Sequence, residues 1–216
     1  MKLINKVIFS GLIVAFSTFF LSGCGKKTSE TKVEPTPVPR ALELKDEEKP
    51  TISLIPRADG HELKMRIENI ANFISSIEYE LLYTAQDNGL EMEKGVGDTL
   101  KIEGKSIERD LLLGTASCTN GCKYKYDTGI TGGTLTLTLI TKDGQAATIE
   151  SPFTLTDTAT IKKTGGIELK SENYKLPLSG SISGNDFYVM IKNTGKYSVF
   201  SSGSKNSLVG DHPISQ

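Results

Sequence analysis

Three cysteines and two histidines are the whole stock of soft metal ligands in this 216-residue chain. Cys118-Thr119-Asn120-Gly121-Cys122 places two thiols at either end of a short polar loop. In an exported protein that spacing favours a disulfide, because a three-residue hairpin loop often ends in a left-handed residue and Gly121 stands there. The two cysteines would then face each other across the strands, inside a Cα window of roughly 4.4–6.8 Å. Closing so small a ring contributes roughly 2 kcal/mol by chain entropy, so the bond stiffens a loop rather than holding a domain. Such a loop is either a presented recognition tip or a locked turn with no partner. Two thiolates make half a zinc site, and His61 and His212 stand at no matching spacing. Redox pairs are usually C-x-x-C ahead of a helix, whereas this pair sits among strands. No metal, cofactor or catalytic residue is expected.

Asp127-Thr128-Gly129 matches the triplet of aspartic proteases. That chemistry needs two carboxylates sharing a proton, the second from the same chain or a dimer mate. The preceding Lys123-Tyr124-Lys125-Tyr126 is not the apolar strand of that family, and a turn is the expected role. Ser179, Ser181, Ser183, Ser201 and Ser202 lie in no G-x-S-x-G context, and a histidine base would have to be His61 or His212. The glycines of 129–133 and 180–184 lack the strand–loop–helix setting that cradles phosphate. Asp87, Asn88, Glu91, Glu93 and Asp98 cluster in what reads as an acidic surface connection, without EF-hand spacing.

The N-terminus is an address. Lys2 and Lys6 precede Val7 to Leu21, an uncharged run of about 15 residues. As a helix it reaches roughly 22 Å, short of a roughly 30 Å hydrocarbon core, which favours a secretory signal over a spanning helix. Leu21-Ser22-Gly23-Cys24 then resembles the lipobox of bacterial lipoproteins, with all four positions in agreement. The resemblance implies cleavage between Gly23 and Cys24 and a diacylglyceryl group on the Cys24 thiol. Two acyl chains anchor a protein durably, since each buried methylene contributes about 0.8 kcal/mol. Residue 25 is glycine, not the aspartate that resembles an inner-membrane retention signal, so a double-membrane host favours the outer membrane. Loss of the signal takes the formal net charge from −1 to −3. Neither a flat contact with anionic lipid nor a nucleic-acid partner is expected of that charge.

Residues 24–50 carry the lipid-bearing cysteine and a tether without apolar periodicity. Pro35, Pro37 and Pro39 favour an extended course, and Lys45-Asp46-Glu47-Glu48-Lys49 is a solvated charge run. The expected role is to hold the folded part off the headgroups.

From Thr51 the period becomes two. Leu63-Lys64-Met65-Arg66-Ile67-Glu68 alternates apolar and charged residues. Leu135, Leu137 and Leu139 alternate with Thr134, Thr136 and Thr138. Ile77, Tyr79, Leu81 and Tyr83 share one side. Weaker strands fall at 51–56, 98–103, 106–114 and 146–156. Asp59-Gly60 and Asp143-Gly144 signal hairpins of type I′. The nearest thing to a helix is about one turn in 67–75, and none reaches three turns. With 37% hydrophobic and 24% charged residues the composition is globular. About seven strands over 51–156 predict an all-β, antiparallel two-sheet sandwich. The segment is similar to immunoglobulin or fibronectin type III modules, with Asp127 to Thr131 as the turn entering the sixth strand. It departs from them in having Thr131 in place of the corner tyrosine, no tryptophan and no inter-sheet disulfide. Residues 157–216 read as a smaller C-terminal β unit, either packed on the sandwich or extending it, with Asn193-Thr194-Gly195-Lys196 as a hairpin turn. The last dozen residues should fray.

The function expected is that of a lipid-anchored envelope protein, exposed at the surface, with a non-enzymatic binding or structural role. Its partners would be the membrane, through the anchor, and a protein or cell-wall component. The 115–131 region is the first place to look, since loops on a rigid scaffold commonly carry recognition. An envelope hydrolase or protease, and a solute-binding lipoprotein, remain the alternatives.

Overall fold

The computed structural model describes residues 40–203 and 206–214. Gly23, Cys24 and the rest of the signal lie outside the described residues. The strands in chain order are β1 (Arg40–Ala41), β2 (Thr51–Pro56), β3 (Glu62–Glu68), β4 (Ile74–Asp87), β5 (Leu90–Lys101), β6 (Ser106–Leu112), β7 (Gly114–Cys118), β8 (Cys122–Tyr126), β9 (Gly132–Thr141) and β10 (Gln145–Asp157). Helix α1 (Thr158–Thr164) follows, then β11 (Gly166–Leu169), β12 (Tyr174–Pro177), β13 (Phe187–Asn193), β14 (Lys196–Ser201) and β15 (Gly210–Pro213).

Two antiparallel sheets face each other. One has the order β2-β3-β6; the other contains β10-β9-β4-β5. Of the strands from β2 to β10, leaving aside the β7–β8 hairpin, the first, second and fifth thus form one layer and the others the second. That is the connectivity of an immunoglobulin-like sandwich. The alternation read in the sequence becomes the interface. Leu135, Leu137 and Leu139 of β9 and Ile77, Leu81 and Tyr83 of β4 meet Leu54, Leu63, Met65 and Leu111 of the opposite layer. The outward positions of β9 are Thr134, Thr136 and Thr138.

The C-terminal segment continues the larger sheet. β13 pairs with β10 from Asp157↔Phe187 to Phe153↔Ile191, and β14 and β15 follow. β13 is apolar on both faces. Val189 and Ile191 join the sandwich core, while Tyr188 and Met190 join a second cluster with Ile161, Ile167 and Leu208. A strand covered on both sides reads as a continuous apolar run, and Phe187 to Ile191 is one. Asn193 ties the layers together: its Nδ2 donates to the Ile52 carbonyl (3.0 Å) and its Oδ1 accepts from the Ile52 N–H (3.3 Å).

Several local expectations change. Residues 206–214 do not fray as a whole: β15 pairs with β14, Leu208 is buried, and Lys196 reaches Asp211 at 2.6 Å. Of the tether, residues 40–50 lie on the sandwich. β1 pairs in parallel with Gln145–Ala146, Leu44 packs on the core and Pro50 is buried. Residues 69–73 form turns rather than helix. Helix α1 forms instead in a β-branched stretch, because its ends are strongly specified. Asp157 accepts from the Thr160 N–H at 2.7 Å, and Gly165 closes it at φ 74°. The Asp-Gly pairs do close hairpins, but over longer loops in which only the glycine has positive φ. The type I′ pair is Asn88 (φ 50°) and Gly89 (φ 80°), joining β4 to β5.

Candidate functional site

β7 and β8 form a two-stranded ribbon in the connection between the two sandwich layers, from β6 to β9. Five residue pairs, Gly114↔Tyr126 to Cys118↔Cys122, hold it. No residue of either strand is buried. Cys118 and Cys122 are bonded as a disulfide with Cα atoms 4.1 Å apart, just below the anticipated window. Gly121 takes φ 87°, the left-handed position the three-residue loop requires.

The ribbon has two unlike faces. Tyr124 and Tyr126 alternate with Lys123 and Lys125 along β8, so the rings lie on one face and the ammonium groups on the other. Across from the rings stand Ala116 and Gly114, which leave them uncovered. A Cβ at Gly114 would lie 2.3 Å from the Lys125 carbonyl oxygen, so only glycine fits there. Tyr126 stacks on His61 from the β2–β3 loop, with centroids 4.3 Å apart and planes 6° apart. Tyr124 lies parallel beyond it at 6.1 Å. Arg57 completes the base, its guanidinium 5.8 Å from the Tyr126 centroid. Two hydrogen bonds of 2.8 Å aim Arg57 at Asp59, and they hold the Asp59 carboxyl down at about 2.

The ribbon is rooted by backbone bonds and one buried carboxylate. The Leu113 N–H donates to the His61 carbonyl and the Asp127 N–H to the Leu113 carbonyl, each at 3.0 Å. Asp127 is 7% exposed. Its Oδ2 accepts from the Tyr83 hydroxyl at 2.8 Å, and its Oδ1 is paired with the Lys94 ammonium. Tyr83 of β4 thus ties the turn entering β9 to the neighbouring strand of the same sheet. Both carboxylate oxygens already have partners, so this aspartate acts as a clamp in the turn.

Other residues singled out in the sequence separate. Asn88 sits in the β4–β5 turn, Glu91 and Glu93 point to one side of β5, and Asp98 to the other. The acidic connection is a hairpin, and the Asn-Gly signal at its tip went unread. Among the described residues no group of three or more His, Cys, Asp or Glu could hold a metal ion. His212 is far along the chain on β15, with Nε2 2.9 Å from the Leu208 carbonyl. The stack of His61, Tyr126 and Tyr124 was missed, though alternating tyrosines opposite Gly and Ala were its signal. Among the described residues no helix is long and apolar enough to cross a membrane. Comparison with known proteins finds no matching family model, no matching curated protein and no matching solved structure.

Proposed function

We propose that this protein is an exported, lipid-anchored component of a bacterial cell envelope. Its sandwich would present the β7–β8 ribbon as a non-enzymatic binding tip for a protein or cell-wall partner. The observation that carries this reading is the ribbon itself. An isolated two-stranded hairpin is at best marginally stable in water. This one buries neither face, yet it is closed by a disulfide and braced by a three-ring stack with Tyr124 54% exposed. Exposed aromatic side chains on a rigid element suit recognition, since they bring contact area at little cost in conformational entropy. From Gly114 to Tyr126 there is no acidic residue, in a chain carrying 26. The two lysines therefore favour a partner with negative charge at its rim. The engaged Asp127 supports a non-enzymatic role.

The anchor is tested by the intact mass of the protein from the membrane fraction. The expected species runs from Cys24 to Gln216 with lipid attached and gains two hydrogens on reduction. An unlipidated mass retaining residues 1–23 would sink the anchoring. The tip is tested by retention of the mature protein on isolated envelope fragments. Tyr124→Ala with Tyr126→Ala should abolish retention while the unfolding transition is kept. Equal retention of that variant would remove the ribbon from the reading.

A further inference from the structure

The outer strand of the larger sheet carries a pattern that the hairpin reading does not use. Among the described residues β5 ends the sheet and is paired on one side only, to β4. An open strand edge is a template for another strand, and proteins commonly cap or charge such edges. The edge at β2 is capped, since Asn193 bonds both backbone groups of Ile52. Among the described residues β5 has no such cover, and it is exposed along nearly all of its length.

The hydrogen-bonding direction along β5 is fixed. The Ile102 N–H donates inward to the Ser75 carbonyl at 3.0 Å, and the two-residue turn at Asn88-Gly89 makes Asp87 and Leu90 a bonded pair. Even-numbered residues therefore bond to β4, and odd-numbered residues turn their N–H and C=O groups to the open edge. The Thr99 N–H, on that edge, is taken up by the Asp98 carboxylate at 2.7 Å.

We infer that β5 pairs antiparallel with β5 of a second copy, about a twofold axis through Val96. The charges argue for this occupant. In that register Glu91 lies opposite Lys101, Lys94 opposite Asp98, Met92 opposite Leu100 and Gly95 opposite Gly97. No like charges meet, and the bonded pairs are the odd-numbered ones, whose backbone groups face the open edge. Opposite charges across strands stabilise pairing and like charges oppose it. Moving the axis to Gly97 sets Glu91 against Glu103 and Lys94 against Leu100; moving it to Gly95 sets Met92 against Asp98. A twofold interface must be self-complementary, and only the register centred on Val96 is. Met92, 44% exposed in one copy, gains the edge of the core as its neighbour. The added strand also displaces Asp98 from the Thr99 N–H, and Lys94 stays paired with Asp127 in its own copy, so the Lys94–Asp98 facing adds charge complementarity rather than a new ion pair.

Sedimentation of the full chain in excess detergent, over a concentration series, tests the pairing whatever the ribbon binds. Wild type is expected to dimerise. Glu91→Lys and Lys101→Glu should each weaken association roughly tenfold, and the double variant should restore it. Within one copy these residues are about 33 Å apart at ~3.3 Å per residue, so rescue has to act between copies. Val96→Cys should give a symmetric intermolecular disulfide under mild oxidation, and Thr99→Cys should not. A wild type monomeric throughout, a double variant no better than the singles, or equal cross-linking by both cysteines would overturn the inference.

Discussion

Two hairpins in this molecule are built on opposite terms. The β4–β5 hairpin is long and turns one face into the core through Ile77, Leu81, Tyr83 and Leu100. Its tip is an Asn-Gly type I′ turn whose twist matches that of the strands. The β7–β8 hairpin has five pairs, no buried residue and a tip closed by a disulfide. The first is held by area removed from water, which needs no particular partner at any one position. The second has no such area, so it depends on a covalent bond, ring stacking and a clamped root. Losing the disulfide or the stack should loosen the ribbon without touching the sandwich, whereas the clamp reaches the core through Tyr83.

The comparison breaks most visibly at a core residue. Leu137→Ala removes a fully buried side chain between the layers and should lower global stability by about 2–5 kcal/mol. The denaturant midpoint should fall, and hydrogen exchange should rise in β4, β5 and β9 alike. Cys118→Ser with Cys122→Ser should cost roughly 2 kcal/mol against opening of the ribbon. Amide exchange should speed up in 114–126 and stay unchanged in 74–101. If both hairpins respond together, they are one cooperative unit and the contrast drawn above is wrong.

Tyr83→Phe probes the clamp beneath the ribbon. It leaves Asp127 Oδ2 without its hydroxyl donor, and a loss of about 1–3 kcal/mol is expected at neutral pH. Burial, then the hydrogen bond to Asp127, holds the Tyr83 hydroxyl above its ordinary 10.0. The unfolded chain therefore gives up this proton first. The contribution is complete below about pH 10 and is lost as the pH rises above it. Urea midpoints measured from neutral to alkaline pH should fall for wild type and fall less for Tyr83→Phe. The smallest effect is expected at Gly89→Ala, about 1 kcal/mol for a side chain at φ 80° in the turn. Its transition midpoint should drop slightly with the ribbon's exchange unaltered.

The alternation in β3, β4 and β9 was legible because each strand has one wet face and one dry face, and period two records that directly. It placed Leu63, Leu81 and Leu137 in the core before any pairing was known. β5 was not legible over 90–97. Its side chains there are largely exposed, so alternation carries no burial signal, and Leu90-Glu91-Met92-Glu93 reads as a polar loop. Helix α1 was hidden for a related reason: its caps specify it, while Thr158, Thr160 and Thr164 favour strand.

Composition, the period of two and the spacing of Cys118 and Cys122 were enough to determine an all-β sandwich with a locked loop. Local patterns encode which side of an element is dry and where a turn is allowed, and those are properties of neighbours in the chain. Which strands meet was decided only in three dimensions, since β10 joining β13 and Asn193 reaching Ile52 involve residues far apart in sequence. The same holds for the site. His61 and Tyr126 carry no mutual signal along the chain, and they stack because the β2–β3 loop and the ribbon leave the sandwich side by side.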